Sequence, residues 1–396
     1  MAVRIDHVRA VEILNSYGRP ALEVWTTLVG GATGSARVGS GAQTPGGLAT
    51  VLDQATRELA GVRFDDLAEL DAALRKLDDS EPGARPGPHA IRGVSIAAAR
   101  AMARDEELPL WRFLASPDTP RRLPVPQFTL INGGHRAGTA LDFEEFTIAP
   151  LGAPTMGAAV RAGIEIHARL RAVLDGLNLA TRTGDDGGFT PEIDWPERVL
   201  ELIAETIDDA GYALGAGGVA IAMRVAASEF RDGAQYRVAG ERLSSDEMIA
   251  RLEQMVADFP IWSIEDGLAH DDWDGWADLT RRLGERVQLV GGDVFATGPG
   301  VIPAAVACNV ANAALIKVAE YGTVTETLEA LRACREAGYA QVVAHRGDIN
   351  DAFIADLAVA AGCAQLIAGA PNRDERVANC NRLIEIESDG RLAYGL

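Results

Sequence analysis

The feature that most constrains this fold is the alternation, from Leu123 onward, of short apolar segments with longer amphipathic ones. The short segments have the length of strands, and the stretches between most of them carry apolar residues at helical spacing. This alternation is typical of βα units in a parallel sheet, and eight such strands close into a barrel. The eight predicted strands are PQFTLI, EFTIAP, VAIAMR, IWSIED, VQLVGGD, AALIKV, AQVVAHR and AQLIAG.

The first part of the chain follows a different pattern. RIDHVRAVEI and LEVWTTLVG are strand-like, and the segments after them have the apolar spacing of helices. The segment SPDTPRR (116–122) has two prolines and no apolar anchor, which indicates a boundary. We therefore predict a small α+β domain over residues 1–122 and an α/β barrel domain over residues 123–396.

The overall charge narrows the class of partner. The chain has 37 basic and 57 acidic residues and a formal net charge of −20, which disfavours binding to nucleic acids and anionic membranes. An anionic ligand must therefore be held by local groups. The longest apolar stretches are too short to span a membrane, and the N-terminus lacks the apolar core of a signal peptide, so we expect a soluble cytoplasmic protein. Four cysteines without CxxC spacing predict buried free thiols.

Charged side chains end several of the predicted strands. In (β/α)8 barrels the chemistry collects at the carboxyl ends of the strands, where loops from several strands meet. The predicted site therefore combines groups from five strands, which is more specific than any one of them. These groups are Arg224, Glu265, Asp266, Asp293, Lys317, His345 and Arg346.

Lys317 is a candidate general base. The chain has only two lysines, Lys76 and Lys317, so a plain surface cation would normally be an arginine here. A partly desolvated lysine amine can take a proton near neutral pH, whereas a guanidinium cannot. The alternative is a lysine that extends from the barrel rim to solvent.

Two glycine-rich loops carry further titratable groups. TGDDGGFTPE (183–192) places Asp185 and Asp186 beside glycines that let the backbone approach a ligand, although an Asx turn has the same composition. The second loop, LINGGHRAG, follows a strand, and its histidine alone is equally well explained as a loop residue. This loop and the next strand supply His135, Arg136, Glu144 and Glu145.

These segments together resemble the enolase family along nearly the whole chain. The resemblance implies an enolase-like modified (β/α)8 TIM barrel capped by an N-terminal α+β domain, in a homodimer. It also implies removal of a proton α to a carboxylate by a lysine, an aci-carboxylate held on magnesium, and loss of β-hydroxide with acid help from a glutamate. The matching segments are ILNSYGRPALEV, LPVPQFTLINGG, GDDGGFTP, VAASEF, FPIWSIEDGLAHDDWDGW, ALIKVAEYGTVTETLEA, AHRGDINDAFIADLAV and GAPNRDERVANCNRLIEIE.

Five positions match the residues that this family uses. By resemblance, Lys317 is the proton-abstracting lysine and Glu145 is a helper glutamate. Glu265 matches one of three carboxylate ligands of magnesium. His345 and Arg346 match the pair that contacts the substrate.

The acid and metal positions depart from the family. The acid glutamate is Asp186, one methylene shorter. Arg224 stands where the family has its first magnesium aspartate, and Gly292 replaces another, with Asp293 beside it as a second candidate ligand. A guanidinium next to Glu265 repels a divalent cation, so we predict weak or absent magnesium binding and no required cofactor. Arg224 is then a candidate for holding an anionic substrate, or half of a structural ion pair with Glu265.

Three further positions differ. Ile367 replaces the second active-site lysine, which removes a charge and its hydrogen bonds. In the loop where the family has a histidine, this chain has Arg136, with His135 just before it. Gln43 replaces a serine of the flexible loop. We predict that His135, Arg136 and Gln43 contact the substrate.

Three functions remain open at this point. The first is altered, metal-independent lyase or proton-transfer chemistry α to a carboxylate on a small phosphorylated, phosphono or carboxylate substrate, as in natural-product enzymes such as carboxyphosphonoenolpyruvate synthase. The second is a weakened phosphopyruvate hydratase, which converts 2-phosphoglycerate to phosphoenolpyruvate. The third is a catalytically silent relative with a binding role, which the retained Lys317, Glu145 and His345 argue against.

Overall fold

A computed structural model describes residues 2–39, 57–78, 88–295, 301–344, 349–390 and 392–396. Gln43, His345, Arg346 and the side chain of Arg136 lie outside the described residues. The chain forms two compact units. One contains residues 1–121, 316–332 and 343–362, and the other contains residues 122–315, 333–342 and 363–396. The domain boundary predicted after residue 122 stays a prediction.

The first unit begins with a four-stranded sheet in the order β3-β2-β1-β4, followed by helices. Helix α2 packs on β3 through alanines such as Ala97 and Ala101, which are fully buried. A side chain at Gly34 in β3 would overlap the backbone of Ala97, so small residues set this close approach. These elements are β1 (Val3–Leu14), β2 (Pro20–Leu28), β3 (Thr33–Gly39), β4 (Arg63–Phe64), α1 (Leu67–Asp78), α2 (Pro88–Asp105) and α3 (Leu110–Leu114).

Eight strands form a closed barrel in the order β12-β13-β14-β15-β16-β6-β7-β8, as the sequence predicted. The barrel strands are β6 (Val125–Asn132), β7 (Glu145–Ala149), β8 (Ala220–Arg224), β12 (Ile261–Glu265), β13 (Gln288–Gly291), β14 (Ala313–Lys317), β15 (Ala340–Ala344) and β16 (Gln365–Ile367). The other described strands are β5 (Arg122–Leu123), β9 (Arg231–Asp232), β10 (Gln235–Val238), β11 (Glu241–Leu243) and β17 (Ala393–Tyr394).

The prediction of parallel strands was wrong for β7, which runs antiparallel to both β6 and β8. The connection from β6 to β7 holds only the short helix α4 (Gly134–Ala137), and a parallel crossover needs a longer connection. The reversal places the first residue of β7 at the same end of the barrel as the last residue of β8. Glu145 and Arg224 are therefore partners in register.

The remaining helices carry apolar faces that cover the strands. Helix α6 buries Val199, Leu200 and Ile203 on one face, and α7 begins with a capping box between Ser244 and Glu247. These helices are α5 (Met156–Gly176), α6 (Pro196–Asp209), α7 (Ser245–Asp258), α8 (Trp273–Leu283), α9 (Val301–Ala307), α10 (Val324–Glu336), α11 (Phe353–Ala360) and α12 (Asp374–Asp389).

Two sequence expectations are settled by burial and helix length. Cys334, Cys363 and Cys380 are buried free thiols, but Cys308 is exposed because it directly follows the end of α9. Among the described helices, none combines the length and the apolar character that a membrane crossing requires.

Candidate active site

Arg224 and Glu265 form an ion pair at the carboxyl end of the barrel. Arg224 is the last residue of β8 and Glu265 is the last residue of β12, and the two are partners in the parallel register. The Nε atom of Arg224 lies 3.0 Å from Oε1 of Glu265. The apolar run before Arg224 is buried in the barrel wall, which fixes where the arginine emerges. The structure thus confirms the predicted pairing.

Three more carboxylates surround the same guanidinium. Arg224 Nε lies 3.3 Å from Glu144 Oε2 and 3.8 Å from Asp266 Oδ2, and its Nη2 lies 3.5 Å from Asp293 Oδ1. We call Arg224, Glu144, Glu265, Asp266 and Asp293 the Arg224 cluster. Burial acts to lower the pKa of Arg224, but the four carboxylates, Glu265 foremost, outweigh it and raise that pKa. The arginine therefore stays charged, and the cluster carries more negative than positive groups.

Asp266 is held in place by the backbone that follows β13. Its Oδ1 accepts hydrogen bonds from the N–H groups of Gly292 (2.9 Å) and Asp293 (3.0 Å). Burial, followed by the charges of Glu265 and Asp293, raises the pKa of Asp266. A Cβ atom at Gly292 would lie 2.8 Å from Asp266 Oδ2. Because position 292 is a glycine, where the resemblance leads us to expect an aspartate, the carboxylate of Asp266 has room beside this backbone.

The described residues do not fit a magnesium ion at this place. Mg²⁺ needs oxygen ligands at about 2.0–2.1 Å in near-octahedral geometry. Here the carboxylate oxygens converge instead on the Arg224 guanidinium, at 3.0 to 3.8 Å. Within the described part of the chain, no group of three or more His, Cys, Asp or Glu side chains is arranged to hold a metal. A cation here would first have to displace Arg224.

Glu145 is a buried carboxyl group next to the cluster. The hydroxyl of Thr129 on β6 donates a hydrogen bond to Glu145 Oε1. Burial is the main cause that raises the pKa of Glu145, and the nearby charges of Asp186, Glu144 and Glu265 add to it. A carboxyl group that keeps its proton near neutral pH can serve as a general acid.

The barrel interior below Arg224 is nearly filled. A cavity of about 10 Å³ is lined by Glu145, Arg224, Glu265 and Ile367, among others. This volume holds one water molecule at most. Ile367, which replaces the family's second lysine, thus forms an apolar wall beside the charged groups.

The glycine-rich loop that carries Asp186 is tied to its surroundings. Gly188 N–H donates to Asn132 Oδ1 (3.0 Å), and Arg373 Nη2 donates to Gly184 O (3.1 Å). Arg376 of α12, which is buried, donates from Nη2 to Asp186 Oδ1 at 2.6 Å. This loop is therefore more than an isolated Asx turn, because a buried arginine orients its second aspartate.

The remaining predicted residues lie in a short helix and at the end of another barrel strand. His135 is exposed in α4, the same short helix that contains Arg136. Lys317 is the last residue of β14 and belongs to the other unit, where its Nζ lies 3.7 Å from Glu320 Oε1. The structure brings together Arg224, Glu265, Asp293 and Glu145. The roles of all these residues stay predictions.

Sequence reasoning did not assign a role to several residues that shape the site. Asp266 was among the charged groups predicted at strand ends and Glu144 was named beside Glu145, but neither was given a role. Thr129 and Arg376 gave no signal in the sequence. Arg376 lies 190 residues from Asp186, and a helix pattern does not show which distant side chain its residues contact.

Comparisons with known proteins find similarity to enolases over nearly the whole chain. The family model "Enolase, C-terminal TIM barrel domain" matches residues 120–393, and "Enolase, N-terminal domain" matches residues 46–114. A curated protein named Enolase, from Acidothermus cellulolyticus (strain ATCC 43068 / DSM 8971 / 11B), is 43% identical over 410 residues. The match covers 98% of this chain and 95% of that protein.

Proposed function

The chain belongs to the enolase family, and from that premise we propose that it acts on a small anionic substrate by proton transfer next to a carboxylate. Family membership supports carbon–oxygen lyase activity in general. The finer proposal is that the reaction proceeds without a metal ion.

The observation that carries this proposal is the Arg224 cluster. A guanidinium within 4 Å of four carboxylates occupies the position that resemblance assigns to a magnesium ligand. A buried pair of this kind resists disruption, because removal of either partner leaves an uncompensated charge. We infer that Arg224 supplies a fixed positive charge in place of a bound cation.

The cluster also limits what Arg224 does with a substrate. Four carboxylates more than balance its charge, so little attraction remains for an anion. In the proposed reaction Arg224 therefore mainly holds the carboxylates together. The anion is held by the other predicted contacts, which are His135, Arg136, Gln43 and Arg346.

The proposed proton transfers use two kinds of residue. Lys317 takes the proton next to the substrate carboxylate, and negative charge then builds on that carboxylate. Glu145 supports the acid step because its raised pKa favours the protonated form. Asp186, oriented by Arg376, is the alternative acid, and His345 assists at the substrate.

A second candidate is a weakened phosphopyruvate hydratase that still needs magnesium. The 43% identity to a protein named Enolase over nearly full length favours this candidate more than any specific altered chemistry. The two candidates share the base and the substrate class. They differ in whether magnesium is needed.

The wider setting follows from the same resemblance. We propose a cytoplasmic homodimer, and by analogy with carboxyphosphonoenolpyruvate synthase a role in natural-product biosynthesis on a phosphorylated, phosphono or carboxylate substrate. Neither nucleic acid nor a membrane is a proposed partner, in keeping with the net charge of −20.

The test is proton exchange in heavy water. The protein is mixed with 2-phosphoglycerate or with other small carboxylates, with magnesium or with a chelator, and α-proton loss and product formation are followed by NMR. The proposal predicts exchange that persists in the chelator and is abolished in Lys317→Ala. Exchange or dehydration that requires magnesium supports the hydratase instead. A binding protein without catalysis shows no exchange with any substrate.

A further inference from the structure

A cleft in the first unit combines charged and apolar walls. Its volume is about 50 Å³, and its lining includes Arg37, Arg92, Asp351 and Phe353. Arg37 comes from β3, Arg92 from α2 and Phe353 from α11. All of these residues belong to the first unit.

Arg92 is a buried cation that lacks a carboxylate partner among the described residues. Only 6% of it is exposed. Its Nη1 donates to Ala319 O (3.1 Å), and its Nη2 lies 2.8 Å from His89 Nδ1. A guanidinium has five N–H donors, so these contacts use only part of its capacity. Burial lowers the pKa of Arg92 to about 10, and no opposing carboxylate contributes.

Asp351, the acidic residue in the cleft wall, does not neutralise Arg92. Arg100 donates two hydrogen bonds to it, from Nη1 to Oδ2 (2.8 Å) and from Nη2 to Oδ1 (2.6 Å). Burial acts to raise the pKa of Asp351, but Arg100 outweighs it and keeps that pKa below its ordinary value. The negative charge of Asp351 is thus matched by Arg100, and the charge of Arg92 is left over.

Arg37 adds a second cation to the wall. Its side chain is 45% exposed, and its Nε lies 3.4 Å from Glu23 Oε1. Arg37 is the more exposed partner of this pair, since the Glu23 side chain is only 18% exposed, and its guanidinium is open to a ligand from solvent. The cleft therefore offers one buried and one half-exposed guanidinium.

We propose that this cleft binds a small oxyanion, a phosphate or a carboxylate, with Arg92 as its main donor and Arg37 as the second cation. A planar guanidinium suits such anions because it can donate two parallel hydrogen bonds to them. A bound anion would supply the counter-charge that the described residues around Arg92 do not. The anion is either free in solution or the second acidic group of a larger substrate.

The test is titration calorimetry of the full chain with inorganic phosphate and with succinate at constant ionic strength. Arg92→Leu should bind phosphate at least about tenfold more weakly, because charged hydrogen bonds are lost. Arg92→Lys keeps the positive charge but lacks the two parallel N–H donors of a guanidinium. Its phosphate affinity should lie between those of Arg92→Leu and the unchanged protein. The matched control is Arg112→Leu, which removes an exposed arginine of the same unit and should bind as the unchanged protein does.

Two further readings separate the sources of the anion. If the anion is part of a substrate, Arg92→Leu raises KM in the proton-exchange assay without changing kcat. If it is free, only phosphate binding changes. Equal phosphate affinity in Arg92→Leu and Arg112→Leu, or no binding to the unchanged protein, overturns the proposal. If Arg92→Leu does not fold, equal affinity in Arg92→Lys and the unchanged protein overturns it. The KM outcome rests on the proposed function, whereas the phosphate-binding outcomes do not depend on whether Lys317 is a base.

Discussion

Arg224 and Glu265 end two neighbouring barrel strands in register, with Nε of the arginine 3.0 Å from Oε1 of the glutamate. Glu144, Asp266 and Asp293 complete a ring of acidic groups around the same guanidinium. The ring explains why a buried strand ends in arginine. Without that arginine, several carboxylates would share a buried place with no counter-charge.

Removal of Arg224 should destabilise the fold strongly. We expect Arg224→Leu to lower the free energy of unfolding by about 3–5 kcal/mol at pH 8, because buried carboxylates lose their partner. The loss should be smaller at pH 5, where those carboxylates take up protons more readily. Urea denaturation followed by circular dichroism measures the free energy of unfolding at each pH.

The matched control for this loss is Arg169→Leu. Arg169 also pairs with a carboxylate, Asp209 at 2.8 Å, but both side chains are about half exposed. An exposed pair contributes about 0–1 kcal/mol. Similar losses for the two variants would show that the Arg224 cluster does not depend on its guanidinium.

Replacement of Arg224 by a carboxylate should create a metal site. In Arg224→Asp the repelling guanidinium is gone and a further carboxylate faces Glu265, Asp266 and Asp293, so we expect the variant to bind Mn²⁺. Electron paramagnetic resonance of free Mn²⁺ measures the binding. Arg224→Asn, which lacks the new carboxylate, should bind at least about tenfold more weakly. Equal Mn²⁺ binding by the unchanged protein would contradict the lack of fit described above.

The sequence predicted the strands of the barrel well, because each is a short apolar run between helical segments. It did not predict that β7 is reversed, since alternation shows that a segment is a strand and not in which direction it runs. The direction depends on the length and path of the connection from Asn132 to Glu145.

The site was predictable where it depends on strand ends. Arg224 and Glu265 each follow an apolar run, and the ends of parallel strands converge, so their pairing could be anticipated. The contact of Arg376 with Asp186 joins a helix to a loop far away in the chain. Such a contact depends on how the helix packs, which local periodicity does not determine.

The contact between Arg376 and Asp186 should limit the motion of the glycine-rich loop. In Arg376→Leu a hydrogen bond between charged groups is lost, and we expect amide exchange over residues 184–189 to become about tenfold faster. Hydrogen exchange with mass spectrometry measures this. Arg382→Leu is the control, because Arg382 lies in the same helix but pairs with Glu385. Equal acceleration in both variants would mean that helix packing, not the ion pair, holds the loop.

His167 should make the stability of the fold depend on pH. It is buried in α5 and stacks on Phe189 of the glycine-rich loop, with ring centroids 4.6 Å apart. Burial lowers the pKa of His167 to about 4, from 6.5 for an ordinary histidine. Well above pH 6.5 the residue is neutral in both states and adds no pH dependence.

As the pH falls from 6.5 toward 4, His167 becomes protonated in the unfolded chain but stays neutral in the folded chain. The free energy of unfolding therefore decreases. The loss from this residue should reach about 3 kcal/mol near pH 4. His167→Gln cannot take up this proton, so its unfolding free energy should fall less steeply over this range. His7→Gln, which makes the same change at an exposed histidine, is the matched control. If His167→Gln and the unchanged protein lose stability in parallel between pH 6.5 and 4, His167 does not hold its neutral form in the fold.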